Sequence, residues 1–221
     1  MRSQAIRPLV AVVVAEFLLL RAAMLSHIVS KPDGDWLPAP TLAAVQALIA
    51  QHLRTVADWP VKGVMFRDIT PLLADARVFA QLVDYVVARY RSAGVQQVAG
   101  IDARGFILGA VIAHALGVGF IPIRKQGKLP FDTLSEDYAL EYGTATLQIH
   151  ADACLPGTRV LVVDDLIATG GSMLAACKLL QRLHASVVEC AVLIDLPDLG
   201  GSQRLLQAGL PVHALCQYPG H

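Results

Sequence analysis

The stretch Val160-Leu161-Val162-Val163-Asp164-Asp165-Leu166-Ile167-Ala168-Thr169-Gly170-Gly171-Ser172 sets two adjacent carboxylates directly ahead of a glycine-rich turn. The β-branched run at its start reads as a strand buried on both faces. Met173, Leu174, Ala175, Ala176 and Leu179, which follow the turn, read as a helix. A helix that opens at such a turn presents unpaired N–H groups and the positive end of its dipole, which suits a phosphate dianion. Glycines let the backbone close around the anion, and Thr169 and Ser172 add hydroxyl donors. Asp164 and Asp165 would repel that phosphate at contact distance, so they serve another part of the same ligand. A carboxylate pair accepts hydrogen bonds from a vicinal diol and can hold Mg²⁺ directly or through water. Phosphate at one end and a diol at the other describe a ribose 5-phosphate.

Two plainer explanations fail. An apolar strand ending in Asp-Asp also accompanies P-loops, but that requires a G-x-x-x-x-G-K-[ST] partner. The only Gly-Lys pair, Gly127-Lys128, runs on into Leu129. Gly117 and Gly119 lack the third glycine of a dinucleotide fingerprint and read as a helix stop entering a strand. A purely structural strand–turn–helix would accept the glycines but gives no reason for two acids at the strand's end.

The elements that must position these residues fit one domain: 221 residues, 55% hydrophobic, allow one sizeable core. A net charge of zero argues against a nucleic-acid or anionic-membrane surface. Cys154, Cys177, Cys190 and Cys216 form no C-x-x-C pair and read as free thiols of a reducing cytoplasm. Residues 8–20, PLVAVVVAEFLLL, follow Arg2 and Arg7 as a signal peptide's apolar centre would. Glu16 interrupts the run, however, and Arg21 stands where small residues should precede cleavage. The run is also too short for a spanning helix. Residues 1–37 are therefore read as a dispensable extension, with an over-called start ahead of Met24 preferred to a targeting segment, and residues 38–221 as the domain.

From Thr41, an N-cap candidate, Leu42, Val45, Leu48, Ile49, Leu53 and Val56 recur at helical spacing. A second helix is expected from about Val78 to Tyr90. Strands at 95–101, 119–123, 160–163, 186–194 and 210–215 then alternate with helices at 106–116 and from the glycine turn to Leu183. That alternation predicts an α/β fold, a mostly parallel sheet covered by helices, with ligands at the carboxyl ends of its strands. Asp102 and Arg104 follow one such end, and Arg124, Lys125 and Lys128 the next, so cations converge beside the acidic pair. They would suit Mg²⁺-pyrophosphate. Residues 130–143, PFDTLSEDYALEYG, are polar and without apolar period, and read as a long connection that could close as a lid.

VLVVDDLIATGGS resembles the phosphoribosyl-pyrophosphate signature of type I phosphoribosyltransferases. GVMFRDIT, DARGF, RKQGKLP, YALEYG and DLGG resemble, in order from about Val45 to His221, the members of that family that act on adenine. The resemblance implies a twisted, mostly parallel sheet flanked by helices, a flexible lid loop and a small N-terminal hood. It implies a homodimer in the cytoplasm that converts adenine and phosphoribosyl pyrophosphate to AMP and pyrophosphate with Mg²⁺, the metal held mainly by pyrophosphate and ribose hydroxyls. Nucleic acid and membrane play no part.

Position by position, the resemblance gives Ala168, Thr169, Gly170, Gly171 and Ser172 to the 5-phosphate, and Asp164 and Asp165 to the ribose hydroxyls and the charge developing at C1. Arg104, Arg124 and Lys128 fall to pyrophosphate, and the peptide Asp102–Ala103 is cis. Phe66 would stack on the purine with Leu166 opposite, while the main chain of Met65 and Arg67 reads the base edges. Relatives acting on 6-oxopurines carry an acid where this chain has Ala168, so the proton at N7 falls to Glu141 of the lid, with Tyr142 beside it.

Overall fold

The computed structural model describes residues 39–139 and 143–219, all within the compact unit Ala39–His221. The N-terminal extension, Glu141 and Tyr142 lie outside the described residues.

Helix α1 (Leu42–His52) is capped as expected: Oγ1 of Thr41 accepts the Ala44 N–H at 3.3 Å. Its apolar spacing does not, however, carry the helix through Leu53 and Val56. Leu53 closes α1 in extended conformation, and Val56 belongs to β1 (Arg54–Ala57), paired antiparallel with β2 (Met65–Asp68). The β-branched Thr55 and Val56 favour the strand, and a cross-strand ion pair fixes it: Nε of Arg54 donates to Asp68 at 2.9 Å. After α2 (Thr70–Ala74), α3 (Ala76–Tyr90) starts two residues ahead of the sequence expectation. Asp75 is its cap, accepting the N–H groups of Arg77 and Val78 at 2.9 and 3.1 Å.

The remaining strands are β3 (Gln97–Ile101), β4 (Gly119–Lys125), β5 (Thr133–Ala139), β6 (Thr144–His150), β7 (Arg159–Ile167), β8 (Ser186–Asp195) and β9 (Val212–Gln217). They form one sheet in the order β5-β6-β4-β3-β7-β8-β9. The five strands from β4 to β9 in that order are parallel, and β6 and β5 add antiparallel at one edge. Helices α4 (Arg104–Leu116), α5 (Gly171–Arg182) and α6 (Gly201–Gln207) supply the crossovers. The apolar run of β7 is explained by the two cores it separates. Leu161 and Val163 pack with Leu82, Leu108 and Ile112, and Val160 and Val162 with Ile121, Met173 and Leu179.

The expected lid needs correction in its first half. Thr133–Ala139 is a strand in a hairpin with β6, which the sequence reading had not anticipated either. Leu134 and Tyr138 pack inward on the second core, while Glu136 between them meets Lys178 and Arg182 of α5 at 3.1 and 3.5 Å. A charged residue at an inward position hid the period of two.

Candidate active site

The carboxyl ends of β3, β4 and β7 open into a cavity of about 330 Å³. Its walls are Ile101 to Arg104, Lys125, Tyr138, Ala139 and the whole stretch from Asp164 to Met173. Strict alternation along β7 would send the two acids to opposite sides of the sheet. Instead the phase slips at the pair. Val163 belongs to the first core, and so does Leu166 three residues on, while Ile167 joins the second. Both acids therefore border the same cavity.

The turn after β7 is shaped by contacts that exclude side chains. Gly170 has φ +75°, and α5 starts directly after it, so the first residues of the helix line the cavity. Behind the turn runs the DLGG segment. The Gly201 N–H donates to the Ala168 carbonyl at 3.1 Å, and a β-carbon on Gly201 would overlap that same oxygen. In front, the Gly171 α-carbon faces Ala139 and the Tyr138 ring, whose atoms would stand 3.0 and 3.2 Å from a β-carbon. Gly105 performs the same service for α4, letting the helix start against Val163 and Asp164.

The electrostatics follow from that crowding. Burial, and then the charge of Asp165, push the Asp164 carboxyl well above its ordinary range. Burial and Asp164 likewise raise the Tyr138 phenol. Arg104 donates through Nε to Oδ2 of Asp165, which is only 2% exposed. Burial works against the Arg104 charge, but Asp165 and Asp164 outweigh it and hold the guanidinium above its ordinary value. The guanidinium carbon also lies 5.7 Å from the centre of the Phe66 ring, which places β2 at the cavity mouth.

Of the other residues singled out in the sequence, Leu166, Ala168, Thr169 and Ser172 line the cavity with the two glycines. Phe66 packs edge-on against Trp59 at 4.3 Å between centroids, beside Met65 and Arg67 on β2. The basic loop divides. Nε of Arg124 donates to Asp102 at 3.3 Å and Nη1 to the Lys128 carbonyl at 3.1 Å, whereas Lys125 lines the cavity. The peptide Asp102–Ala103 is cis. Lys125 was counted from sequence only among the converging cations, and Tyr138 and Gly201, though inside the quoted motifs, were given no role of their own. Tyr138 was hidden because the charged Glu136 breaks the Leu134-Glu136-Tyr138 alternation, and nothing local marks Gly201 as the backing of a distant turn.

A parallel sheet whose central strand ends in two acids and a glycine turn, edged by cations, defines a phosphoribosyltransferase. Residues 74–204 match the model of the phosphoribosyl transferase domain, and the chain belongs to that family. Its relatives are adenine phosphoribosyltransferases. The one from Cupriavidus pinatubonensis is 58% identical over 183 residues, 83% of this chain and 96% of the relative. The solved enzyme of Rhodothermus marinus is 45% identical at a TM-score of 0.75, covering 80% of this chain and 99% of that one. The Saccharomyces cerevisiae enzyme, solved with an imino-altritol bisphosphate and adenine, is 34% identical with a TM-score of 0.75, over 79% and 99% of the two chains.

The donor set suits Mg²⁺ of a particular kind. Among the described residues no group of three or more His, Cys, Asp or Glu side chains could hold a metal. Three carboxylates, Asp102, Asp164 and Asp165, border the cavity, and Asp102 and Asp165 are each paired with an arginine, so such an ion would be carried mostly by substrate oxygens and touched by one or two protein acids.

Proposed function

We infer that the chain transfers the phosphoribosyl group of phosphoribosyl pyrophosphate to N9 of adenine, giving AMP and pyrophosphate, a step of purine salvage. The observation that carries this reading is the single cavity shared by the acid pair and the glycine turn, with β2 at its mouth. In this reading the amides and hydroxyls from Ala168 to Ser172 hold the 5-phosphate, and Asp164 and Asp165 accept the ribose hydroxyls. The same acids oppose the positive charge that grows at C1 as the bond to pyrophosphate breaks. Arg104, Arg124 and Lys128 neutralise the departing pyrophosphate, with Lys125 joining Arg104 on the cavity wall. Mg²⁺, carried mainly by pyrophosphate and ribose hydroxyls with Asp164 and Asp165 nearby, would supply further neutralisation of that leaving group.

Phe66 and Leu166 sandwich the purine, the main chain of Met65 and Arg67 reads its edges, and Glu141, beside Tyr142, stabilises the proton at N7. A main-chain acceptor suited to the 6-amino group is left unpaired by a 6-oxo group, which costs about 1–3 kcal/mol. Assays of nucleotide formation should therefore show adenine consumed and hypoxanthine and guanine used poorly. Comparable turnover of hypoxanthine refutes the assignment.

We further propose a homodimer in the cytoplasm. Ile107 and Val111, one turn apart on α4, are 45% and 36% exposed and offer an apolar stripe to a second copy. The four cysteines are free thiols, as a reducing compartment leaves them. Residues 1–37 are dispensable in this reading, and a chain starting at Met24 keeps full activity.

A further inference from the structure

The β1–β2 hairpin forms its own two-stranded sheet, so something must fix its height over the cavity. Part of that task falls to the side chain of Arg67, whose main chain is read above as facing adenine. Its Nη1 donates to Oγ1 of Thr55 at 2.7 Å, across the hairpin from it. Its Nη2 donates to the Pro219 carbonyl at 3.2 Å, and its guanidinium carbon lies 5.2 Å from the centre of the Tyr218 ring. Tyr218 is itself anchored: its N–H donates to the Asp195 carbonyl at 3.0 Å, and its ring packs on the first core. One guanidinium thus ties the hairpin to the residues that follow the last strand of the main sheet.

The arrangement carries a cost that argues against a merely structural role. Nε of Arg67 is buried and has no hydrogen-bond partner, and an orphaned buried donor disfavours the folded state. A hydrophobic side chain would fill the same space without it. What the guanidinium provides instead is a planar fork with fixed geometry on three sides, and thus a defined position for β2.

We propose that Arg67 and Tyr218 are positioning residues for the purine, setting the height of β2 so that its backbone meets the edge of the base. The proposal rests on the reading of β2 as the adenine-binding strand. The sugar-phosphate end of the cavity is built by β3, β7 and the glycine turn, and does not depend on the clamp.

The test uses the whole chain with Tyr218→Phe, which keeps the aromatic face, and Tyr218→Leu, which keeps apolar packing without it. Tyr218→Leu should raise KM for adenine about fivefold, the worth of a half-buried cation–π contact, and leave KM for phosphoribosyl pyrophosphate unchanged. Tyr218→Phe should behave as wild type. Arg67→Met should reproduce the adenine defect, and the double variant with Tyr218→Leu should add little, since both remove one interaction. Unchanged adenine KM in Tyr218→Leu, or equal shifts in both KM values, overturns the proposal. If the leucine variant does not fold, a pronounced adenine defect in Tyr218→Phe overturns it as well, because the hydroxyl has no part in it. Failure of the wild type to use adenine would instead strike the underlying reading, so the two are told apart.

Discussion

Gly170 and Gly201 touch backbone to backbone: a β-carbon on Gly170 would stand 2.9 Å from the Gly201 carbonyl oxygen, and one on Gly201 would stand 2.6 Å from the Gly170 nitrogen. The glycine turn is therefore pressed into shape by a segment about thirty residues away in sequence. Gly201→Ala must push the turn outward. Overpacking of this kind costs about 1–3 kcal/mol, so phosphoribosyl pyrophosphate should bind about tenfold more weakly and the melting temperature should fall by several degrees. Calorimetric titration and a thermal melt measure both. An alanine variant with native affinity would mean that the turn does not need this backing.

Asp165 is expected to matter to catalysis more than to folding. It accepts from Arg104 and is almost fully buried at the cavity wall, and asparagine keeps its shape and one acceptor oxygen. Removing the charge that opposes the sugar cation should lower kcat about 10²–10³-fold, as loss of a preorganised electrostatic group does. Circular dichroism should remain native. A variant with wild-type turnover would exclude Asp165 from the chemistry, and an unfolded one would make it structural.

What the sequence disclosed was whatever is local. The strand, acid pair and turn of residues 160–172 are contiguous, and the caps Thr41 and Gly117 act within a few residues. What it concealed depends on distant partners or on broken periodicity. Leu53 and Val56 match a helical period by chance, while the Arg54–Asp68 pair draws the chain into a hairpin. Glu136 turns inward because Lys178 and Arg182 wait on α5. Arg67 looked important only for its main chain, since nothing nearby in sequence foretells its contact with Tyr218.

Glu141 lies two residues beyond the last described residue of β5, the strand whose end, Tyr138 and Ala139, borders the cavity. If its carboxylate stabilises the proton at N7 while N9 attacks C1, the interaction grows toward the transition state and registers in kcat. General acid–base assistance is worth about 10²–10⁴-fold. Glu141→Ala should accordingly lose at least about tenfold in kcat, the cautious edge of that range, with a smaller change in equilibrium affinity for phosphoribosyl pyrophosphate. Unchanged kcat would move the proton to water or to Tyr142.

Asp164 should show stability and function pulling in opposite directions. Burial and the neighbouring charge of Asp165 hold its carboxyl well above the ordinary value of 3.8. A group raised in the folded state binds its proton more tightly there, so its stabilising contribution is complete below the unfolded value and is lost as pH rises through the folded one. At pH 7 the Asp164 carboxyl is thus a net cost to the fold, which the proposed role of accepting a ribose diol accounts for. Asp164→Asn removes the cost. It should melt higher than wild type at pH 7, by about 2–4 °C for each kcal/mol relieved in a chain of this size, while kcat falls about hundredfold or more. The advantage in melting temperature should shrink as pH falls toward 4, where the unfolded chain's carboxyl takes up a proton as well. Differential scanning at the two pH values, paired with an assay of AMP formation, reads both halves. A variant that melts lower at pH 7 would mean that the Asp164 carboxylate stabilises the fold, and that the crowding of the two acids is offset by the Asp165 N–H it accepts at 2.9 Å and by Arg104 nearby.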